Sequence, residues 1–294
     1  MKKIILVIAT AFFVSSVSNA QDIKKIAEDF QKQMSDPANP YGQNKTAGKY
    51  YDIRGFKMYA EVYGEGQPLL IIHGNGGSIN NFIYQIPYFS TKYKVIVADS
   101  RAQGKSADSG DSLTYEMIAD DYAALLDKMN IDSAYVIGWS DGGIEGLLLS
   151  IRHPKKVKKL AITGANLVPD TTAVPQEIWD MVIPSVNELK NKETKSDQEK
   201  TQLKLFRLLA EQPHISLAEL HTIKCPTLVI GGDHDVIKEE HTMLIYKNIA
   251  KSYLWILPGS GHSTPVVFKD EFNMIVDRFF TNSYRVFDPE ARFF

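Results

Sequence analysis

Six short apolar runs punctuate this chain: "PLLIIHG", "KVIVADS" at 94–100, "AYVIGWS" at 134–140, "KLAITGA" at 159–165, "TLVIGGD" at 227–233 and "YLWILPG" at 253–259. Each is apolar at consecutive rather than alternate positions, the pattern of a strand covered on both faces. Helical repeats lie between them: Ile118, Tyr122, Leu125, Leu126 and Met129 share one face, as do Ile144, Leu147, Leu148 and Ile151. Buried strands alternating with amphipathic helices predict an α/β fold, a mostly parallel central sheet with helices on both faces. Ahead of them, "YYDIRGFKMYAEVYG" predicts two short strands around a glycine turn.

Two segments stand outside this alternation. Residues 167–222 carry no strand pattern, place Leu205, Leu208 and Leu209 on one face of a lysine-rich stretch, and are bracketed by proline-marked turns. They predict an inserted helical cap between two parts of the core, 49–166 and 223–294. Residues 21–48 begin with a short helical pattern (Ile23, Ile26, Phe30) and continue as "SDPANPYGQNKTAGK", which predicts an N-terminal extension lying on the surface as loop. Residues 1–20 have the form of a secretory signal peptide: Lys2 and Lys3, an apolar run from Ile4 to Val14, then Ser18-Asn19-Ala20. The run is too short to span a membrane, and no cysteine near the cut offers a lipid anchor. The expected protein is secreted or periplasmic with no membrane anchoring after cleavage; a buried N-terminal helix is the alternative. In the tail, Phe287, Phe293 and Phe294 suggest docking onto the body or a partner.

Charge and cysteine usage narrow the function classes. The 33 basic and 35 acidic residues leave a formal charge of −2. Loss of two lysines with the leader leaves 31 against 35, or −4. Nucleic acid is not an expected partner, and the cluster Lys155, Lys156, Lys158 and Lys159 reads as a solvated junction. Cys225 is alone, so no internal disulfide forms, and its apolar setting reads as a small buried hydrophobe. No histidines or acids have metal-ligand spacing; no metal and no cofactor are expected.

The chemistry concentrates at strand ends. Gly138-Trp139-Ser140-Asp141-Gly142 closes one buried run and opens a helical one, the setting of a nucleophile elbow, in which a sharp turn thrusts a serine hydroxyl above the sheet. A serine nucleophile needs a base, and the base an orienting acid. "GSGHSTP" places His262 after the last run, and "GGDHDVI" places Asp233 and Asp235 after the one before. Asp235, deeper in its loop, is the preferred acid; Asp233 reads as a cap of the turn. "HGNGG" at 73–77 places the Asn75 backbone N–H to hold an oxyanion together with that of Asp141, with His73 as a structural hydrogen-bonding residue. His214, in the cap, is a candidate pocket residue; the other histidines have no motif around them.

The ordered set "HGNGG", "DSRAQGKS", "GWSDGG", "GGDHDVI" and "GSGH" resembles the α/β-hydrolase superfamily over about residues 50–282. The resemblance implies the α/β-hydrolase fold and a triad of Ser140, Asp235 and His262. It leaves the substrate open, since the superfamily cleaves many bond types. "GWSDGG" is similar to the elbow of the valacyclovir hydrolases, amino-acid ester hydrolases, and by that likeness Asp141 would anchor a substrate amine. The competing role for Asp141 is a favourable charge at a helix start. The expected activity is cleavage of carboxylic esters, amino-acyl esters among them, through an acyl-enzyme on a small-molecule substrate, with Asp141 and Trp179 as candidate substrate-binding residues. The alternatives are a low-turnover, receptor-like ligand-binding protein and a carbon–carbon bond hydrolase.

Overall fold

The computed structural model describes residues 20–286 and residue 290. The expected signal segment up to Asn19, and Phe287, Phe293 and Phe294 of the tail, lie outside the described residues.

Eight strands form one sheet: β1 (Gly48–Ile53), β2 (Phe56–Tyr63), β3 (Gln67–Ile72), β4 (Tyr93–Ala98), β5 (Ala134–Trp139), β6 (Val157–Thr163), β7 (Thr227–Gly232) and β8 (Ser252–Leu257). Their order is β1-β2-β4-β3-β5-β6-β7-β8. The first two form the expected hairpin, β2 runs antiparallel to β4, and every later pairing is parallel. The chain steps from β3 outward to β4 and then back across to β5, so the order reverses at the β3–β5 pair. In open α/β sheets that reversal leaves a crevice at the carboxyl ends of the strands.

The helices are α1 (Ala20–Ser35), α2 (Gln85–Phe89), α3 (Tyr115–Lys128), α4 (Asp141–Arg152), α5 (Gln176–Asn191), α6 (Asp197–Glu211), α7 (Leu217–Leu220), α8 (Glu239–Lys247), α9 (Thr264–Val267) and α10 (Lys269–Thr281). One face of the sheet packs Ile118, Tyr122 and Leu125 of α3 and Ile144, Leu147 and Leu148 of α4 against Leu70, Val136 and Leu160. The other packs Phe89 of α2 and Phe272, Val276 and Phe280 of α10 against Leu69, Val95 and Leu228. The consecutive apolar residues of β3 to β7 feed these two layers alternately, which is why those runs show no alternation, whereas β8, expected to be buried on both faces, lies at the edge of the sheet and is half-buried. Cys225 is buried and belongs to the first layer.

Helix starts follow local chemistry. Thr114 Oγ1 accepts the Met117 N–H to open α3, and Ser196 with Glu199 closes a capping box on α6. Helices α5, α6 and α7 occupy the stretch between β6 and β7. Within α6 the leucines divide: Leu208 is buried in the main core, while Leu205 and Leu209 line a cleft. Lys204 fastens α6 down, its Nζ 3.2 Å from Asp108 Oδ2 and 2.7 Å from the Gly110 carbonyl. Asp108 in turn pairs with Arg101, and Arg101 with the fully buried Asp121.

Two expectations need correction. The N-terminal extension has a helical start, which runs to Ser35, and turns after it, but it does not simply lie on the surface: α1 buries Phe30 against Ile83 and Val266. The turn after it is tied down by the buried Glu61 carboxylate, which accepts the N–H groups of Gly42 at 2.8 Å and Asn44 at 2.9 Å as well as two tyrosine hydroxyls. The lysine cluster is not simply solvated either. Lys159 donates to the carbonyls of Phe279, Phe280 and Asn282, the unsatisfied end of α10, and Lys156 pairs with Asp127. Among the described residues, no helix is long and apolar enough to cross a membrane.

Candidate active site

Ser140 sits between β5 and α4 at φ 58° and ψ −122°, a conformation that strains a non-glycine residue by about 1–3 kcal/mol. The flanking glycines are steric necessities. A Cβ on Gly138 would lie 2.1 Å from the Gly142 carbonyl oxygen, and one on Gly142 would lie 2.2 Å from that of Ile72. The chain thus turns from strand to helix within contact distance of the end of β3. Gly74, just past β3, is as close: a Cβ there would meet Ser140 Cβ at 2.9 Å. Parallel pairing of β3 with β5, with Ile72 opposite Gly138, is what brings "HGNGG" and the elbow together.

Around Ser140 the strand ends converge. His262, on the loop after β8, places Nε2 2.9 Å from Ser140 Oγ, and its Nδ1 lies 2.6 Å from Asp235 Oδ1, on the loop after β7. Asp235 also accepts the Ile237 N–H at 3.2 Å and its side chain is fully buried. Asp233 lies apart, accepting the Ser260 N–H and pairing with the exposed His234. The backbone N–H groups of Asn75 and Asp141 have no acceptor among the described residues. His73 is buried between the Ser100 N–H and the Gly74 carbonyl. His214 is exposed and does not line the cleft, so the structure removes it as a pocket residue.

Electrostatics set the state of these groups. Burial pushes the His262 imidazole down, but the Asp235 charge and hydrogen bond, with the Asp141 charge, outweigh it and raise its pKa above the usual 6.5. Asp141 is itself buried, which lifts it to about 6; hydrogen bonds from Asn75 and Tyr115 and the His262 charge pull the other way. Asn75 Nδ2 reaches Asp141 Oδ2 at 2.8 Å and the Leu205 carbonyl of α6 at 3.2 Å, so one side chain joins the loop after β3, the elbow and the cap. One turn along α4, Glu145 is fully buried with neither carboxyl oxygen hydrogen-bonded, and burial holds its pKa well above the usual range.

Ser140, Asn75, Asp141 and His262 border a cleft of about 1460 Å³. Trp179 and Ile178 of α5 and Leu205 and Leu209 of α6 line it, and the Trp179 indole N–H is buried without an acceptor. The described residues hold no cluster of three or more His, Cys, Asp or Glu side chains able to bind a metal.

The model of the alpha/beta hydrolase fold family matches residues 67–206. A serine hydrolase of Mus musculus, BPHL, is 26% identical over 263 residues, covering 83% of this chain and 90% of that protein. The chain has the α/β-hydrolase fold, and it is a hydrolase. Among solved structures, this α/β-hydrolase resembles the enol-lactonase of Burkholderia xenovorans at a TM-score of 0.68 and 20% identity, covering 80% of this chain and 100% of that one. It also resembles a meta-cleavage product hydrolase of Pseudomonas fluorescens at 0.65 and 21%, covering 81% and 98%. At such identities the structures share the fold.

Three contributors to the site have a role that no motif in the sequence specifies. Gly164, after β6 at φ +66°, leaves room for His262, since a Cβ there would lie 2.6 Å from the imidazole Cε1. Trp139 donates its indole N–H to the His262 carbonyl at 2.8 Å and so braces that loop. Tyr115 hydrogen-bonds Asp141 from α3. Only the glycine at a strand end, the same signal that marks the elbow, offers a hint of the first.

Proposed function

We propose that this α/β-hydrolase cleaves carboxylic esters through an acyl-enzyme. The observation that carries the reading is the unbroken chain from Ser140 Oγ through His262 to Asp235, at 2.9 and 2.6 Å, with Ser140 and His262 bordering the cleft. Ser140 attacks the acyl carbon while His262 Nε2 takes its proton and passes it to the leaving alcohol. Asp235 holds the imidazole with its proton on Nδ1 and stabilises the imidazolium that forms. The N–H groups of Asn75 and Asp141 receive the oxyanion. Water, activated by the same imidazole, then attacks the acyl carbon and frees the acid. The cap, with Trp179, shapes the pocket. With its leader, the enzyme works outside the cytoplasm.

The buried Asp141 carboxylate favours a narrower version. It borders the cleft beside the nucleophile, is largely ionised at neutral pH with a pKa of about 6, and its hydrogen-bond partners, Asn75 and Tyr115, are neutral. A buried anion paired only with neutral donors gains most from a ligand cation. Esters with an α-amino group fit that need. The test is kcat/KM on an α-amino acyl ester and its des-amino analogue, with Ser140→Ala as blank. Preference for the amine, lost in Asp141→Ala, supports the anchor. Equal rates that vanish in Ser140→Ala leave a general esterase. No turnover on a broad ester panel, or turnover confined to vinylogous diketones, overturns the ester reading.

A further inference from the structure

The cleft has a wall that the β6–β7 insertion does not supply. Ile23, Ile26, Ala27, Phe30, Gln31 and Met34 of α1 all border it. Their spacing places them on one helical face, and from Ile23 to Met34 that face is about 16 Å long. Lys24, Lys25, Glu28 and Asp29 are exposed on the other side. The helix is also anchored to the part of the body that carries the triad. Phe30 packs with Ile83 and Val266, against which Ile26, Met34, Tyr84 and Trp139 also pack. Val266 lies on α9, directly after the His262 loop, and Trp139 precedes the nucleophile and holds the His262 carbonyl.

We infer that α1 is a wall of the substrate site, facing the cap across the cleft, and that it selects esters with an extended apolar group on the acyl or the alcohol side. This rests on the esterase reading. Two observations support it besides the lining. The cleft volume, about 1460 Å³, exceeds the 300–1,000 Å³ usual for small-molecule sites, so room for a long group exists. And α1 contributes five apolar side chains toward a floor that is polar at Ser140, Asp141 and His262. A short ester would leave that apolar face wet, whereas a long one covers it and removes both surfaces from water.

The test avoids Phe30, whose loss would disturb Trp139 and the triad. Ala27→Trp and Ile23→Trp fill the cleft from the α1 side; Lys25→Trp places the same bulk on the exposed face. Each is assayed with p-nitrophenyl acetate, p-nitrophenyl octanoate and octyl acetate, with circular dichroism confirming the fold. Wild type is expected to prefer a long ester to acetate. Each methylene kept from its site lowers affinity by about fourfold, so losing two gives more than a tenfold fall in the long-to-short ratio, mainly through KM. Ala27→Trp and Ile23→Trp should show that fall and Lys25→Trp should not. A fall with the octanoate places the wall on the acyl side, and one with octyl acetate on the alcohol side. Unchanged ratios in both folded cleft variants, or a wild-type preference for acetate, overturn the role of α1 while leaving the esterase reading intact. Activity that survives Ser140→Ala overturns the esterase reading itself.

Discussion

Replacing Gly164 by alanine should disable the site while leaving the fold standing. Gly164 has φ +66°, and a Cβ built on it lies 2.6 Å from His262 Cε1 and 2.8 Å from Nδ1. Two penalties follow. A left-handed backbone costs a non-glycine residue about 1–2 kcal/mol. At about 2–4 °C of Tm per kcal/mol for chains of 150–250 residues, that is a fall of about 2–8 °C. The second penalty is positional. Carbon atoms rest about 3.5–4.0 Å apart, so the ring must withdraw by about 1 Å. It is held at 2.9 Å by Ser140 and 2.6 Å by Asp235, and cannot withdraw without lengthening one of these bonds. A misplacement of about 1 Å lowers the rate by about 10²-fold. The assay is kcat on an activated ester beside a thermal melt. A hundredfold loss of kcat with a Tm fall of only a few degrees is the expected pair. A kcat within about threefold of wild type at the same Tm would show that Gly164 does not confine the imidazole, and the steric reasoning would be wrong.

Asp235→Asn should lower kcat by about 10⁴-fold, since the amide cannot stabilise the imidazolium, whereas Asp233→Asn should change it little; single-turnover kinetics on the two variants decides between the acids. Because general-base action needs neutral His262 and its pKa is raised above 6.5, kcat/KM should climb with pH through a midpoint above 6.5. Asp141→Asn removes one of the charges that raise it, so the midpoint should move to lower pH, and an upward move would contradict the stated cause. Glu145 keeps its proton in the folded chain, while the unfolded chain releases it above about 4.5, so this group lowers stability as pH rises past that value. Glu145→Gln should therefore raise Tm, by more at pH 8 than at pH 5, as differential scanning fluorimetry would show.

The sheet was legible because its central strands are buried on both faces and so stand out as continuous apolar runs, and Ser140, Asp235 and His262 because each follows an apolar run at a glycine-rich or acidic turn. The preference for Asp235 over Asp233 rested on loop depth, and the 2.6 Å contact to His262 gives that preference a geometric basis. Burial of α1 was not legible. Its apolar positions are spaced as any amphipathic surface helix would have them, and what it covers is made from Ile83, just ahead of α2, and Val266 of α9, some fifty and two hundred and forty residues further along the chain. Nor could the sequence show that Glu61 holds the turn at Gly42 and Asn44, since an isolated acid in a strand ordinarily faces water.

By itself, then, the sequence determined what depends on local pattern: the α/β alternation, the elbow whose glycines the backbone demands, the order of the candidate residues Ser140, Asp235 and His262 along the chain, and the helical character of residues 167–222. The tertiary structure decided what depends on distance across the fold. It set the contact of Gly164 with His262, the bracing of that loop by Trp139, the joint hold of Asn75 on Asp141 and the cap, the neutral setting of Glu145, and the closing of the cleft by α1. These are meetings of residues tens to hundreds of positions apart. No periodicity records them, because hydrophobic burial specifies that a face is covered and leaves to packing which partner covers it.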